Sequence, residues 1–443
     1  MASGLTTKLA KKLFLKTLEQ SSGGYLEIVC PEATYRFGHR DDLPGKDLRG
    51  KDLRCKDTLH AVLAVHDERF FRRAVLGGDA GIGEAYVDGD WSTPDLVSLV
   101  RFGVRNLDQL EAGSRLPGML GRTADFFSHR RNRNTQAGSK KNIAYHYDLG
   151  NDFYRLFLDQ TLAYSCAYYE SPEDSLETAQ RRKFEVICRK LQLGPQDHLL
   201  EIGTGWGGFA AYAAEKHGCQ VTTTTISRQQ HDHAQELFSR LGPAGERIEL
   251  LFEDYRNLRG QYDKIVSIEM FEAVGHEHYD DYFGACDRLL KPDGSMLLQT
   301  ITIQEAKFEQ YRKQSDWIKK HIFPGAELAS VAEILRSLTR ATRLQAFHLE
   351  DIGMHYALTL REWRRRFLQN LVAVRRLGFD ERFLRKWDYY LAYCEGSFCE
   401  RYTSDVQLVL SKVTNRNQLV NEPKADPKVK RVWQEYPQGS TFG

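Results

Sequence analysis

The most constraining feature of this sequence is the stretch LLEIGTGWGGF at positions 199–209, where an apolar run ends directly in a series of glycines. The apolar residues are typical of a buried strand, and the segment that follows the glycines is typical of a helix. Glycines at such a junction let the backbone approach a ligand closely. The pattern therefore predicts a strand, a loop and a helix that together hold an adenosyl cofactor.

Two cofactor classes use such a loop, and the glycines alone do not separate them. Positions 203–208 fit the dinucleotide fingerprint G-x-G-x-x-G, which also needs an acidic residue about 20 positions further on for the ribose. The next predicted strand, positions 219–226, ends without one. An acidic residue instead precedes the first glycine at Glu201, where class I methyltransferases keep a carboxylate facing the methionine end of S-adenosylmethionine. Asp254, after a third strand, is a natural adenine contact, so the sequence favours S-adenosylmethionine over NAD.

Length and composition are those of a globular protein with room for two domains. The chain has 443 residues, of which 41% are hydrophobic and 28% are charged. No apolar run approaches the roughly 20 residues of a membrane span, and the N-terminus lacks the apolar core of a signal peptide. The eight cysteines are scattered without a C-x-x-C pair, which argues against zinc sites and a secreted disulfide framework. We therefore expect no metal and a reducing, cytoplasmic location.

The order of the predicted elements divides the chain into three parts. Residues 1–135 mix short β-like pieces with helices and a turn-rich segment at 76–91, and are expected to form a smaller, mainly helical accessory domain. Residues 136–414 alternate strands with helices, which predicts an α/β domain with a class I methyltransferase Rossmann-like sheet and helical lid insertions. Residues 415–443 are polar and contain prolines, and we expect a disordered tail.

The elements of the catalytic domain are predicted individually. The expected strands are LLEIG (199–203), VTTTTI (221–226), IELLF (248–252), KIVSIEM (264–270) and SMLLQTITI (295–303), with LQAFHLEDI (344–352) and DVQLVLSKV (405–413) as an antiparallel hairpin at the edge. Helices are expected at 209–216, 228–240 and 278–290, and helical insertions at 308–340 and 360–400. The insertions are expected above the carboxyl ends of the strands.

A dense aromatic segment precedes the first of these strands. Positions 143–170 carry six tyrosines and two phenylalanines around a single cysteine, Cys166. Alone, such a segment is more typical of an aromatic helix packed on the sheet. Beside a methyl sulfonium, aromatic faces stabilise positive charge and exclude water, so we expect an aromatic-walled pocket next to the cofactor.

Two basic segments bear on binding partners. Positions 5–19 place leucines against four lysines, Lys8, Lys11, Lys12 and Lys16, at helical spacing. This amphipathic helix either caps the N-terminal domain or lies on an anionic membrane surface, and both alternatives remain open. A basic run at 130–141 is interpreted as a solvated linker rather than a nucleic-acid site, because no recognition motif accompanies it.

Seven motifs in a fixed order carry a family resemblance: YHYDLGNDFY, LAYSCAYYE, EIGTGWGG, DYRNL, EMFEAVG, WIKKHIFP and GMHYALTL. In this order they resemble the cyclopropane-fatty-acyl-phospholipid synthase family, and the likeness covers most of the chain. Segment 76–91 resembles the N-terminal domain of the bacterial members that act on phospholipids, a domain that the shorter mycolic acid enzymes lack.

The resemblance implies a mechanism. The π electrons of a cis double bond in an unsaturated phospholipid acyl chain attack the methyl group of S-adenosylmethionine, and a bound bicarbonate then removes a proton so that a cyclopropane ring closes. The groups implied to hold bicarbonate are Cys166, Glu272, Gln299, Ile301 and Tyr356. A proton relay through Glu272 and Tyr356 is expected.

The sequence departs from the family pattern at two positions. Many bacterial synthases have His in place of Gln299 and of Ala273, and a Gln amide donates a hydrogen bond but does not ionise. Ring closure is therefore less firmly implied than methyl transfer. The alternatives are an enzyme that adds methyl or methylene branches and a non-catalytic lipid-binding protein; small-molecule N-methyltransferases are disfavoured because nitrogen methylation needs no bicarbonate.

The resemblance also implies the residues that bind the cofactor. They are Tyr164 and Ser165 near the methionine carboxylate, Glu201, the loop glycines Gly203, Gly205 and Gly207, Thr225, Ile226 and Gln230 about the ribose and adenine, and Asp254 with Tyr255 on the adenine edge. A β-carbon at Gly203 or Gly205 is expected to abolish cofactor binding.

Substrate access implies a peripheral membrane protein. A double bond near the middle of an acyl chain lies deep in the bilayer, so we expect the N-terminal domain to dock on the inner face of the membrane. Its lysines would favour anionic headgroups, and a homodimer would gain avidity.

Overall fold

The computed structural model describes residues 2–38, 59–113, 149–171 and 173–416. The predicted linker at 130–141, the boundary at 135 and residues 417–443 of the predicted tail lie outside these ranges. Within them, no helix is both long enough and apolar enough to cross a membrane.

The N-terminal part combines a small sheet with helices. Its strands are β1 (Tyr25–Val29), β2 (Thr34–Phe37), β3 (His60–Val65) and β4 (Trp91–Ser92), in the order β2-β1-β3-β4. Strand β1 runs antiparallel to β2 and parallel to β3. The helices are α1 (Ala2–Leu18), α2 (Arg69–Val87), α3 (Leu96–Arg105) and α4 (Leu107–Gly113).

Segment 76–91 is mostly helical, and its prediction as a turn-rich stretch is wrong. Helix α2 continues to Val87 with one kink at Gly78, where φ is 52° and ψ is −136°. At Gly83 a β-carbon would lie 2.3 Å from the Trp317 ring and 2.8 Å from the Tyr389 ring. This glycine therefore allows close helix packing rather than a turn.

The larger sheet has the predicted Rossmann-like topology. Its strands are β5 (His198–Ile202), β6 (Gln220–Thr224), β7 (Ile248–Leu251), β8 (Tyr262–Ile268), β9 (Leu290–Ile303), β10 (Leu344–Asp351) and β11 (Thr403–Lys412). The order is β10-β11-β9-β8-β5-β6-β7. Strands β5 to β9 pair in parallel, while β11 pairs antiparallel with both β9 and β10, as predicted for the edge hairpin.

Helices cover this sheet and extend above its carboxyl edge. They are α5 (Asn151–Arg155), α6 (Leu176–Leu191), α7 (Gly208–His217), α8 (Arg228–Ser239), α9 (Tyr279–Leu289), α10 (Phe308–Tyr311), α11 (Trp317–His321), α12 (Val331–Ala341), α13 (Gly353–Gln369), α14 (Leu371–Arg376) and α15 (Glu381–Cys399). The helical insertions were predicted, although strand β9 begins at Leu290 rather than Ser295.

The N-terminal part and the helical insertions share one buried apolar cluster. Phe70 and Trp91 on one side belong to the same cluster as Trp317, Trp363 and Trp387 on the other. Polar contacts reinforce the junction. The guanidinium groups of Arg101 and Arg105 in α3 donate to the two carboxylate oxygens of Glu400, at 2.6 and 2.7 Å, and in α15 that of Arg385 donates to the Tyr86 carbonyl at 2.6 Å.

Candidate active site

A cavity of about 340 Å³ opens at the carboxyl edge of the large sheet. Its floor is formed where β5, β6, β8 and β9 end, and its walls come from the glycine loop and from the helical insertions. The strand order reverses between β5 and β8. Ligands of open α/β sheets bind at such a reversal, and the volume suits a small molecule.

Nearly all residues predicted to bind the cofactor line this cavity. They are Tyr164, Ser165, Glu201, Gly203, Gly205, Thr225, Ile226, Gln230, Asp254 and Tyr255. The exception is Gly207, which caps helix α7 in a left-handed conformation. A β-carbon there would lie 2.8 Å from the Phe238 ring. Gly207 therefore allows the loop to pack on α8 and does not face the cavity as predicted.

The first loop glycine meets the conformational demand that the motif suggested. Gly203 has a φ of 104°, and a β-carbon would lie 3.1 Å from Cβ of Met270. Gly205 also has a positive φ, 54°, with no neighbour close to the position of a β-carbon. Positive φ favours glycine at both positions.

Glu201 lies buried at the end of β5 and accepts a hydrogen bond from the Thr223 hydroxyl at 2.5 Å. Burial raises the pKa of Glu201 to about 8, against the opposing charge of Lys183. Lys183, also buried, donates to the Ser165 hydroxyl at 2.6 Å. The methionine end of the predicted cofactor site thus holds a buried carboxyl group that is mostly protonated near pH 7 in the absence of a further cation.

At the predicted adenine end, the carboxylate of Asp254 is already paired. The Arg256 side chain donates to both of its oxygens, at 2.8 and 2.7 Å. The hydroxyl of Thr225 donates to Oε1 of Gln230 at 2.9 Å, and the Tyr255 ring packs edge-on against Tyr282. These contacts hold the side chains in place along the cavity wall where adenine and ribose were predicted to bind.

Three carboxylates lie beneath the opposite half of the cavity. Asp405 is fully buried, and Glu272 and Glu269 are half-buried where they line the cavity. The sequence pattern predicted Glu272 alone and missed both Asp405 and Glu269. The carboxylate of Glu269 accepts hydrogen bonds from the Cys166 backbone N–H at 2.7 Å, the Gln299 amide at 2.8 Å and the Tyr356 hydroxyl at 2.6 Å. The only signal in the sequence was its place in EMFEAVG, directly after a strand.

Burial and mutual repulsion govern the protonation of this cluster. They hold the pKa of Asp405 well above its ordinary value, which favours its protonated form. Burial and the charge of Glu269 raise the pKa of Glu272 to about 7. Burial also raises the pKa of Glu269, while its hydrogen bonds and Lys183 favour the ionised form. Among the described residues, no group of three or more His, Cys, Asp or Glu side chains is arranged to hold a metal ion.

Gln299 is held in one orientation by its neighbours. Its carbonyl oxygen accepts from the Gln407 amide at 3.0 Å, and the Lys190 ammonium donates to Gln407 at 2.7 Å. The Gln299 amide nitrogen therefore points at both Glu269, at 2.8 Å, and Asp405, at 3.0 Å. An amide supplies two N–H donors from one nitrogen, which an imidazole nitrogen does not.

The five residues predicted to hold bicarbonate come together, but four of them donate to side-chain carboxylates and the fifth, Glu272, is one of those carboxylates. Cys166, Gln299 and Tyr356 donate to Glu269 as described. The Ile301 backbone N–H donates to Glu272 at 2.6 Å. Every predicted donor is engaged, so these residues do not fit a bicarbonate ion. The hydrogen bond of Tyr356 also differs from the predicted relay with Glu272, because the Tyr356 hydroxyl donates to Glu269 instead.

Aromatic side chains line the cavity, but mostly not those that were predicted. From the described part of segment 143–170, the aromatic residue on the cavity is Tyr164, whose hydroxyl hydrogen-bonds that of Tyr390 at 2.7 Å. Phe153, Tyr154 and Phe157 pack in the core against Trp387. Further aromatic lining comes from the helical insertions and the segments beside them: Tyr311, Phe323, Tyr356, Tyr390, Tyr393, Phe398 and Tyr402. Around the glycine loop the aromatic lining is Phe184, Trp206, Phe209 and Tyr255.

Comparisons with known proteins agree with this geometry. Residues 134–408 match the family model described as mycolic acid cyclopropane synthetase. The chain is 37% identical to cyclopropane-fatty-acyl-phospholipid synthase of Escherichia coli K12 over 363 residues, which cover 80% of this chain and 88% of that protein. It is 37% identical to tuberculostearic acid methyltransferase UfaA1 of Mycobacterium tuberculosis over 350 residues, which cover 76% and 80%.

Among solved structures, this fold is similar to mycolic acid cyclopropane synthase CmaA1 complexed with SAH and CTAB. The TM-score is 0.57 at 32% identity, and the match covers 62% of this chain and 98% of CmaA1. A match over more than half of the chain, with these relatives, shows the family. The chain belongs to the mycolic acid cyclopropane synthetase family and is an S-adenosylmethionine-dependent enzyme that modifies lipids.

Proposed function

We propose that this enzyme transfers a methylene group from S-adenosylmethionine to the cis double bond of unsaturated phospholipid acyl chains, forming cyclopropane fatty acids. The observation that carries this proposal is one continuous cavity. It joins the glycine loop to an apolar chamber that has carboxylates beneath it. The glycine loop suits a methyl donor, the apolar chamber suits a hydrocarbon chain, and a carboxylate is available for the proton that must be lost.

The chamber suits a reaction that passes through a carbocation. Aliphatic residues Ile318, Leu328 and Leu360 line it together with tyrosine and phenylalanine rings. Tyr356 stacks on Phe398 with ring centroids 4.5 Å apart. Aromatic faces stabilise a cation, and an apolar lining keeps out water that would capture it.

A second candidate is transfer that leaves a methyl or methylene branch. The tuberculostearic acid methyltransferase is as similar to this chain as the E. coli synthase is. Gln299, in place of the His of many bacterial synthases, also distinguishes this site. The two reactions share methyl transfer and differ in which bond forms when the cation collapses.

Labelling of lipids separates these candidates. The purified protein is incubated with methyl-labelled S-adenosylmethionine and vesicles of cis-unsaturated phospholipid, and the acyl products are identified by mass spectrometry. We expect cyclopropane chains, with no label in matched vesicles of saturated phospholipid. A branched or exomethylene product would replace the first candidate by the second. Cofactor binding without any lipid label would contradict both and leave a lipid-binding protein.

Helix α1 provides a docking surface for a membrane. Its buried side, which includes Ala10 and Leu18, packs on the N-terminal part, and Lys11 pairs with Glu32. Leu9 and Leu13 point outward, with 58% and 41% of their surface exposed, and the exposed lysines Lys8, Lys12 and Lys16 share this face. Exposed leucines among lysines suit an anionic bilayer, so we propose peripheral binding at the cytoplasmic membrane face, which a homodimer would strengthen.

Sedimentation with vesicles tests this surface. The double substitution Leu9→Glu with Leu13→Glu is expected to reduce binding to anionic vesicles at least tenfold, because it removes apolar contacts and adds repulsive charge. The matched control is Val372→Glu, at an equally exposed apolar residue of α14 (62% exposed). Equal loss in the control, or equal binding to neutral and anionic vesicles, would contradict the proposed surface.

A further inference from the structure

The position expected for a bound anion is filled by the chain itself. The carboxylate of Glu269 lies among the Cys166 backbone N–H, the Gln299 amide and the Tyr356 hydroxyl, with donor–acceptor distances of 2.6–2.8 Å. A carboxylate and a bicarbonate present the same pair of anionic acceptor oxygens. The same donors therefore bind only one of the two anions at a time, and here they bind the carboxylate of Glu269.

The backbone at Glu269 shows that this placement is specific. Its φ is 48°, in the left-handed region that glycine adopts freely and that is unfavourable for other residues. The hydrogen bonds to its carboxylate offset that cost. A glutamate is thus retained at a glycine-like position because its carboxylate is held.

We propose that Glu269 is the catalytic base of this enzyme and that its turnover does not require bicarbonate. This inference rests on the proposed function. A C–H bond of the transferred methyl group breaks, its electron pair forms the third bond of the cyclopropane ring, and the proton passes to a carboxylate oxygen of Glu269. If the product is a methylene branch, a 1,2-hydride shift first moves the cation to the carbon that carries the new methyl group. The same C–H pair then forms a C=C bond to that carbon, and the proton still goes to Glu269.

The surroundings suit this role. Glu269 lines the cavity, so it touches the space where the acyl chain reacts. Burial raises the pKa of Glu269 and makes it more basic than an exposed glutamate, while its hydrogen bonds and the nearby charge of Lys183 favour the ionised form. Beside it, burial and the negative charge of Glu269 raise the pKa of Asp405 well above its ordinary value.

The test compares three full-length proteins in buffer freed of carbon dioxide, with and without added bicarbonate. The wild-type labelling rate is expected to change less than twofold on addition. Glu269→Gln keeps the shape of the side chain but not its basicity. Its labelling rate is expected to fall at least about 100-fold, the low end of a general base contribution, and added bicarbonate is not expected to restore it. Glu269→Gly frees the donors and is expected to regain activity with bicarbonate. Stimulation of the wild type by tenfold, or a fully active Glu269→Gln protein, would overturn the inference.

A binding measurement decides the same point without turnover. Line broadening of ¹³C-bicarbonate in NMR is expected with Glu269→Gly and not with the wild type, and calorimetry should give both the same affinity for S-adenosylmethionine. Broadening by the wild type, or none by Glu269→Gly, would contradict an anion site filled by Glu269. If the wild type labels no lipid, the proposed function fails, whereas this NMR result still stands on its own.

Discussion

Binding of S-adenosylmethionine should weaken as the pH falls from 7 to 6, because of Glu201. Burial raises the pKa of this carboxyl to about 8, so it is mostly protonated throughout this range. The ammonium group of the cofactor's methionine end would pair with the ionised form only. Binding must therefore release a proton, and affinity follows the ionised fraction.

The magnitude follows from that pKa. The ionised fraction is about 1 in 11 at pH 7 and about 1 in 100 at pH 6, so the dissociation constant should rise about ninefold, or about 1.3 kcal/mol. Calorimetry in two buffers of different ionisation heat measures both this change and the proton released. The range stays below about pH 7.7, where α-amino groups are half deprotonated.

A control variant separates Glu201 from its neighbour. Burial and the charge of Glu269 raise the pKa of Glu272 to about 7, so Glu272 titrates in the same range. Glu201→Gln keeps an acceptor for the Thr223 hydroxyl but does not titrate, and it should bind more weakly with little pH dependence. A ninefold change that persists in Glu201→Gln, or a wild-type affinity that is equal at pH 6 and 7, would refute the reasoning.

Three further substitutions give distinct expected results. Gly203→Val forces a branched side chain into a positive φ against Met270 and should abolish cofactor binding in calorimetry; unchanged affinity in a folded protein would contradict a close backbone approach. Gln299→His removes one of the two amide N–H donors and the carbonyl oxygen that accepts from Gln407. It should lower turnover about 10–100-fold in the labelling assay, although many bacterial synthases have His there. Full activity would show that the amide is dispensable. Trp317→Ala empties a fully buried site and should cost about 3–5 kcal/mol in denaturant unfolding, and a loss below 1 kcal/mol would mean that the junction of the two parts repacks freely.

Local pattern was sufficient to predict most of the fold. Apolar runs ending in glycine or polar residues located the strands of the large sheet, because parallel strands are buried on both faces. Segment 76–91 was misjudged because its glycines resemble turn residues. Their helical role depends on Trp317 and Tyr389, which lie far along the chain and pack against Gly83. No periodicity within α2 reveals that contact.

The part of the site that the glycine motif defines was predictable from the sequence. The part that depends on which side chains hydrogen-bond to one another was less so. The glycine loop placed the cofactor residues on one cavity. Glu269 was missed because nothing in the local sequence tells whether a glutamate after a strand points into the protein or to solvent. Its role emerges from the positive φ and from donors contributed by Cys166, Gln299 and Tyr356, which come from three separate segments.

The apolar cluster shared by the N-terminal part and the helical insertions limits how the chain can be shortened. The inner face of α15 and the Trp317 segment is buried against α2 and α3, so deleting the first 135 residues would leave tryptophan and tyrosine rings in water. A shorter relative without this part must carry polar residues on the corresponding surface. The N-terminal part is therefore not a detachable module here, and a truncated protein should aggregate rather than behave as an independent catalytic domain.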